Sequence, residues 1–211
     1  SSIVACGTNS EQQPTLTPAP TLTLRIVNSS LYMDSLLYQI VVEVENNNSV
    51  MVTGVEINAT LYNSVGTVIG TRTGSSCIKT LMPNQKAPVY IWGPLNLSPQ
   101  IDHYELTVNN LSVTNNQPYR EFSVLSSNSS IDSIGFYLVS GELENSGDQV
   151  AHWVNVIGTF YDDTGNIIDL GSSFAQPRDL SPDQIASFGI MLPHAMLSSN
   201  ISSYTLQVEC E

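Results

Sequence analysis

The segments VVEVENN (41–47), ATLYNSVGTVIG (59–70) and LMPNQKAPVYI (81–91) return later in the chain as VSGELENS (139–146), GTFYDDTGNIID (158–169) and LSPDQIASFGI (180–190). When Asn46 is laid on Asn145, an offset of 99 residues, Glu45 falls on Glu144, Leu61 on Phe160, Tyr62 on Tyr161, Gly66 on Gly165 and Pro83 on Pro182 without a gap. A self-similar unit this long is a whole domain repeated once, not the short unit of a solenoid. The residues that repeat are apolar strand positions and turn formers. No set of catalytic groups repeats with them.

Working outward from these segments, apolar side chains alternate with period two, which is the signature of half-buried strands. Tyr38, Ile40, Val42 and Val44 share one face, and Gln39, Glu43 and Glu45 are expected on the opposite, solvent side. Val55, Ile57, Ala59 and Leu61 repeat the pattern, as do Val154, Val156, Gly158 and Phe160 in the second copy. Gly66 and Gly165 sit where a four-residue hairpin loop needs a positive φ, and Pro83 and Pro182 open turns before the next strand. The expectation is an all-β chain of two tandem immunoglobulin-like antiparallel β-sandwiches, each with six to seven strands. The boundaries read as a spacer over 1–23, a first sandwich over 24–109, an Asn-rich linker or strand-to-strand crossover over 110–120 and a second sandwich over 121–211. Freedom between the two is the default for such a joint.

Glu-Asn before a small polar turn, a strand ending in Leu-Tyr or Phe-Tyr-Asp, a glycine, two aliphatics and Leu-x-Pro-x-Gln together resemble the FxLYD domain family. The resemblance covers about residues 24–209 in two units. Its signature positions are Glu45, Asn46, Leu61, Tyr62, Gly66 and Pro83, then Glu144, Asn145, Phe160, Tyr161, Asp162, Gly165 and Pro182. The second copy fits better, because the first carries Leu61 for the aromatic and Asn63 for Asp162. The resemblance implies immunoglobulin-like modules of exported and lipid-anchored bacterial or archaeal proteins. It implies no catalytic residues.

Composition narrows the function further. Six Lys and Arg against nineteen Asp and Glu give a formal charge of −13, a field that repels nucleic acid and anionic membrane surfaces. No stretch approaches the roughly 20 consecutive apolar residues of a membrane-spanning helix. At the start of the chain, SSIVACG places Ile3, Val4 and Ala5 before Cys6, a pattern like the lipobox of bacterial lipoproteins, in which that cysteine carries the lipid. The uncharged spacer that follows, with Pro14, Pro18 and Pro20, is biased to extended polyproline conformation. Any membrane contact is therefore expected through a lipid on Cys6 only, and any partner as a protein or glycan at the cell surface.

Catalytic and metal motifs are absent. His103, His152 and His194 lie at unrelated positions in the repeat, and the chain has no HExxH, GxSxG or CxxC motif. No cofactor is expected. Asp162, Asp163, Asn166 and Asp169 crowd one loop and invite a calcium reading, but the spacing is not that of an EF-hand, the first copy has Asn63, Ser64, Thr67 and Gly70 there, and a hairpin turn accounts for them more simply. Asn28, Asn47, Asn58, Asn96, Asn110, Asn128 and Asn200 each begin an Asn-x-Ser/Thr triplet, which matters for glycosylation only in an archaeal source. Cys77 and Cys210 occupy non-equivalent positions, so they either stay free or bridge the two copies. Trp92 and Trp153, with Tyr90 and Tyr161, suit either core packing or an exposed aromatic platform. The expected function is a non-catalytic surface module. The alternative is a self-assembling surface subunit in which TLTLRIV (21–27) adds as a strand to a neighbour's sheet.

Overall fold

The computed structural model describes residues 22–94, 100–192 and 194–211. The protein is all-β, and every strand pairing is antiparallel. The first half holds β1 (Arg25–Met33), β2 (Leu37–Glu45), β3 (Val52–Tyr62), β4 (Val68–Ser75), β5 (Thr80–Leu81), β6 (Lys86–Pro94) and β7 (His103–Val113). The second holds β8 (Phe122–Ile131), β9 (Tyr137–Asn145), β10 (Asn155–Tyr161), β11 (Ile167–Phe174), β12 (Ile185–Met191) and β13 (Ser203–Glu209), with a short 3-10 helix at Ala195–Asn200. The sheets run β1-β2-β6 and β4-β3-β5, with β7 also on β3, in the first half. They run β12-β9-β8 and β11-β10-β13 in the second. Where β5 pairs with β3 at Val52 and Leu81, the second half has a single bridge between the equivalent Ala151 and Leu180.

Two apolar clusters follow the alternation. Tyr38, Ile40, Val42, Ile57, Leu61, Val89 and Ile91 build the first, and Val139, Leu143, Val156, Phe160, Phe188 and Ile190 the second. The Leu61-to-Phe160 exchange is matched by Ala59 becoming Gly158. A Cβ on Gly158 would lie 2.9 Å from the Phe160 ring, so the added ring volume is offset by a lost methyl group.

Two expectations are overturned, one about exposure and one about freedom at the joint. Gln39 and Glu43 do not face solvent: they are 0% and 1% exposed, and Val41 between them is equally buried. The outer face of β2 is covered by the second half, whose Ile157 joins the first apolar cluster. β2 is thus buried on both faces, which an alternating pattern alone does not announce. The joint is not a free linker either. β7 runs on through residues 110–113, pairing Asn110 with Glu56, Ser112 with Thr53 and Val113 with Val52. Beyond it, Arg120 donates from Nη1 to the Val208 carbonyl (2.7 Å) and from Nη2 to the Thr80 carbonyl (3.1 Å), and ion-pairs with Glu209. One guanidinium therefore ties both halves together.

Candidate interaction surfaces

The repeated signature residues are consumed by the fold. Asn46 and Asn145 are fully buried, and each amide pins the loop that follows it. Asn46 Nδ2 donates to the Val50 and Leu81 carbonyls at 2.9 and 3.0 Å, and its Oδ1 accepts from the Asn48 backbone at 3.1 Å. Asn145 donates to the Gln149 and Leu180 carbonyls at 2.7 and 2.9 Å, and accepts from the Tyr119 hydroxyl at 2.6 Å. The glutamine of Leu-x-Pro-x-Gln closes its own turn: Gln85 accepts from Met82 N, and Gln184 from Ser181 N, both at 2.9 Å. Gly66 and Gly165 adopt φ of 78° and 82°, the left-handed geometry the hairpin loop requires.

The Asp162 loop is one of these turns. Asp162 Oδ1 accepts from Thr164 N (2.9 Å), Thr164 Oγ1 (2.8 Å) and Asn166 N (2.8 Å), and the hydroxyl and amide donors hold its carboxyl below the usual range. Asp169 points elsewhere, into the seam between the halves. Among the described residues, no three His, Cys, Asp or Glu side chains gather as metal ligands.

The seam is where the second copy's tyrosine is used. Tyr161 donates to Glu43 Oε1 at 2.6 Å, and Lys86 Nζ reaches Glu43 Oε2 at 2.9 Å. Burial, reinforced by the Glu43 carboxylate, pushes the Tyr161 phenol up to about 12. A second cluster lies beside it: Gln39 Nε2 donates to Asp169 Oδ1 at 3.2 Å, and His194 Nδ1 lies 3.3 Å from Asp169 Oδ2, its ring tilted at 53° against Tyr32 with centroids 4.6 Å apart. Gln85 bonds Gln207 at 2.7 Å, and Asn28 Oδ1 accepts from Ile167 N at 2.8 Å. Sequence reasoning missed Gln39, Glu43 and Lys86 as interface residues. Their signal was polar residues, Gln39 and Glu43, on a strand whose other face is wholly apolar, with Lys86 on the paired strand β6; the alternation assigned them to water.

The remaining candidates disperse. Asn28 is engaged at the seam, and Asn47 accepts from Thr23 Oγ1 at 3.1 Å. Asn58 stands on β3, Asn110, Asn128 and Asn200 are exposed, and Asn96 and Cys6 lie outside the described residues. Cys77 and Cys210 are free thiols lining one cleft between the halves, and burial raises both, Cys77 to about 11. The four aromatics do not share a surface. Tyr161 is in the seam and Tyr90 is half-buried, its phenol raised by burial and further by the charge of Asp169. Trp92 is exposed on β6, while Trp153 joins Phe174 at a ring distance of 6.0 Å.

No protein-family model matches the chain. No curated protein matches it. Among solved structures, the chain is similar to the exo-β-D-glucosaminidase CsxA, inhibited by a glucosamine-configured castanospermine and an amino-australine analogue. The identity is 13% over 87% of this chain and 25% of that one, with a TM-score of 0.32. This chain therefore spans a quarter of that enzyme's length, and the likeness is too weak to bear on chemistry.

Proposed function

We propose that this chain is a non-catalytic surface module of the FxLYD type, tethered through a lipid on Cys6 and a Pro/Thr-rich spacer, which presents its loops and sheet faces to a protein or glycan. The observation that carries the reading is that the amide side chains the repeat keeps in common, and the Asn63/Asp162 position of its hairpin, are committed to turns and loop staples. Asn46, Asn145, Gln85, Gln184 and Asp162 are all bonded within the fold. Nothing among them is left to move a proton or attack a bond. The anchoring part rests on the Ile-Val-Ala-Cys motif and the composition that follows it. The self-assembly alternative loses support at β1: Arg25–Met33, which contains the end of TLTLRIV, pairs along its length with Leu37–Glu45 of its own sheet.

Intact-mass measurement of the protein from its native host tests the tether. The expected result is a chain starting at a lipid-modified Cys6, shifted from the membrane to the soluble fraction by Cys6→Ser. An unmodified Cys6, or membrane association indifferent to the substitution, overturns the anchor.

A further inference from the structure

Trp153 stands where the fold asks for glycine. Its φ is 53°, and the residue at the same place in the first copy is Gly54, with φ 63°. A bulky side chain in left-handed backbone is disfavoured by the clash of its Cβ with the backbone, and here Asp179 Oδ1 holds the Trp153 amide at 3.0 Å. Nor is the ring hidden to repay that strain: Trp153 is 48% exposed and its neighbour Phe174 39%. Strain at an exposed aromatic is what a binding residue shows, since a residue chosen for stability would be buried or unstrained.

The ring opens on a cleft of about 220 Å³ between the two halves, whose wall includes Cys77 and Lys79 from the first, and Asn155, Phe174 and Glu211 from the second. Arg178 lies over both rings, 5.3 Å from the Trp153 centroid and 4.7 Å from that of Phe174, so the place of a cation is already filled. Asn155 begins the central strand β10, pairing with Phe174 on one side and Glu209 on the other. The cleft floor therefore offers no free strand edge to a peptide. It offers the Trp153 and Phe174 rings, set edge to face, beside the Asn155 amide and the Lys79–Glu211 ion pair at 3.2 Å. The first copy has a cleft at the same place, lined by Gly54, Glu56 and Ser75 in place of Trp153, Asn155 and Phe174. The aromatic wall is particular to the second copy.

We infer that this cleft binds a single pyranose ring, the terminal sugar of a glycan. A pyranose presents polarised C–H groups on one face, which suit the electron-rich face of an aromatic ring, and hydroxyls at its rim that both donate and accept. The cleft is smaller than the roughly 300 Å³ at which drug-sized pockets begin, as one ring requires. The inference deepens the surface-module reading and rests on it only for where such a glycan is met.

The test uses the full chain in a Trp92→Phe background, so that fluorescence reports Trp153 alone, together with saturation-transfer NMR. The probes are the methyl glycosides of glucose, galactose, mannose and N-acetylglucosamine. Saturable, millimolar binding of at least one is expected. Trp153→Gly should weaken it by more than about tenfold without lowering the melting temperature, because the backbone there already has a glycine's conformation. Lys79→Ala, on the far wall, should weaken binding while leaving Trp153 in place. Binding that survives Trp153→Gly, or the absence of saturable binding by every glycoside, overturns the cleft and leaves the surface-module reading standing, as does Trp153-dependent binding of a proline-rich peptide alone. Release of methanol from a bound glycoside supports the cleft and ends the non-catalytic reading instead.

Discussion

Asn145 shows at the scale of one residue why the repeat keeps what it keeps. Its side chain is fully buried, and its amide is the partner of two carbonyls and a tyrosine hydroxyl. Asn145→Ala removes a bond from each of the Gln149 and Leu180 carbonyls and from the Tyr119 hydroxyl; Leu180 keeps its bond from Ala151 N and Tyr119 a longer one to Gln149, so the cost is on the order of 1–3 kcal/mol in all. A loss in that range is expected in urea unfolding, with Asn46→Ala close behind. A loss below about 1 kcal/mol would show that water replaces the amide. The thiols make a second residue-scale prediction. Burial raises Cys77 to about 11, so at neutral pH it is a neutral thiol and a poor nucleophile. A disulfide-exchange reagent should titrate Cys77 slowly in the native protein and at once in denaturant. Fast native reaction would mean the cleft opens readily.

At the scale of elements, the sequence located the strands and misjudged one surface. The alternation in 37–45 and 52–62 gave β2 and β3 their places, and the NSVG and DDTG loops became hairpins because Gly66 and Gly165 permit a positive φ. Alternation reports which residues share a face, however, and not what lies beyond it. Gln39 and Glu43 read as part of a solvent face because polar residues interrupt it, yet a second sheet covers them and bonds the Gln39 amide and the Glu43 carboxylate. Tyr161 and Asp169 do so from strands far along the chain, while Lys86 on the neighbouring strand β6 neutralises Glu43. The Tyr161 bond can be tested by pH. Its phenol is raised to about 12 against an ordinary value near 10, so the folded state holds that proton more tightly than the unfolded one. The stability from this bond is complete below about pH 10 and is lost as pH rises through about 12. Because the ring is partly solvated, its contribution is on the order of 1 kcal/mol. Tyr161→Phe should therefore be less stable than wild type by about that amount at pH 8, and the gap should close by about pH 12. A gap that does not depend on pH would mean the hydroxyl bond is not its source.

At the scale of the whole molecule, the seam is a pairing of unlike faces: the outer side of β1-β2-β6 meets the outer side of β11-β10-β13. By the repeat, the second half carries a copy of the former on β8-β9-β12, and the first half a copy of the latter on β4-β3-β7. Heterologous faces of this kind generate open filaments when they match. Here they do not match. Ile185 stands where Lys86 neutralises Glu43, so Glu142 has lost the equivalent lysine, and Asn58 replaces the buried Ile157. Glu105 takes the register position of Thr205, and Tyr62 already donates to it at 2.9 Å. Docking would bring Glu142 against Glu105 with no cation between. Sedimentation should therefore show a monomer at all accessible concentrations, and the double change Glu105→Thr with Asn58→Ile should begin association. Head-to-tail oligomers of the wild type would sink this account.

The sequence by itself determined the strands, the turns and the twofold duplication, because those depend on side-chain period and on backbone conformations that a few residue types allow. It also named the residues that staple each copy, though not what they bond. The tertiary structure alone decided which sheet face is covered, that Arg120 fastens the joint, and that Trp153 meets Phe174, Arg178 and a cleft. Those outcomes depend on groups far apart in sequence, from Trp153 and Phe174 in one half to Asn28 and Ile167 in different halves, arriving at one place, and no local pattern encodes that arrival.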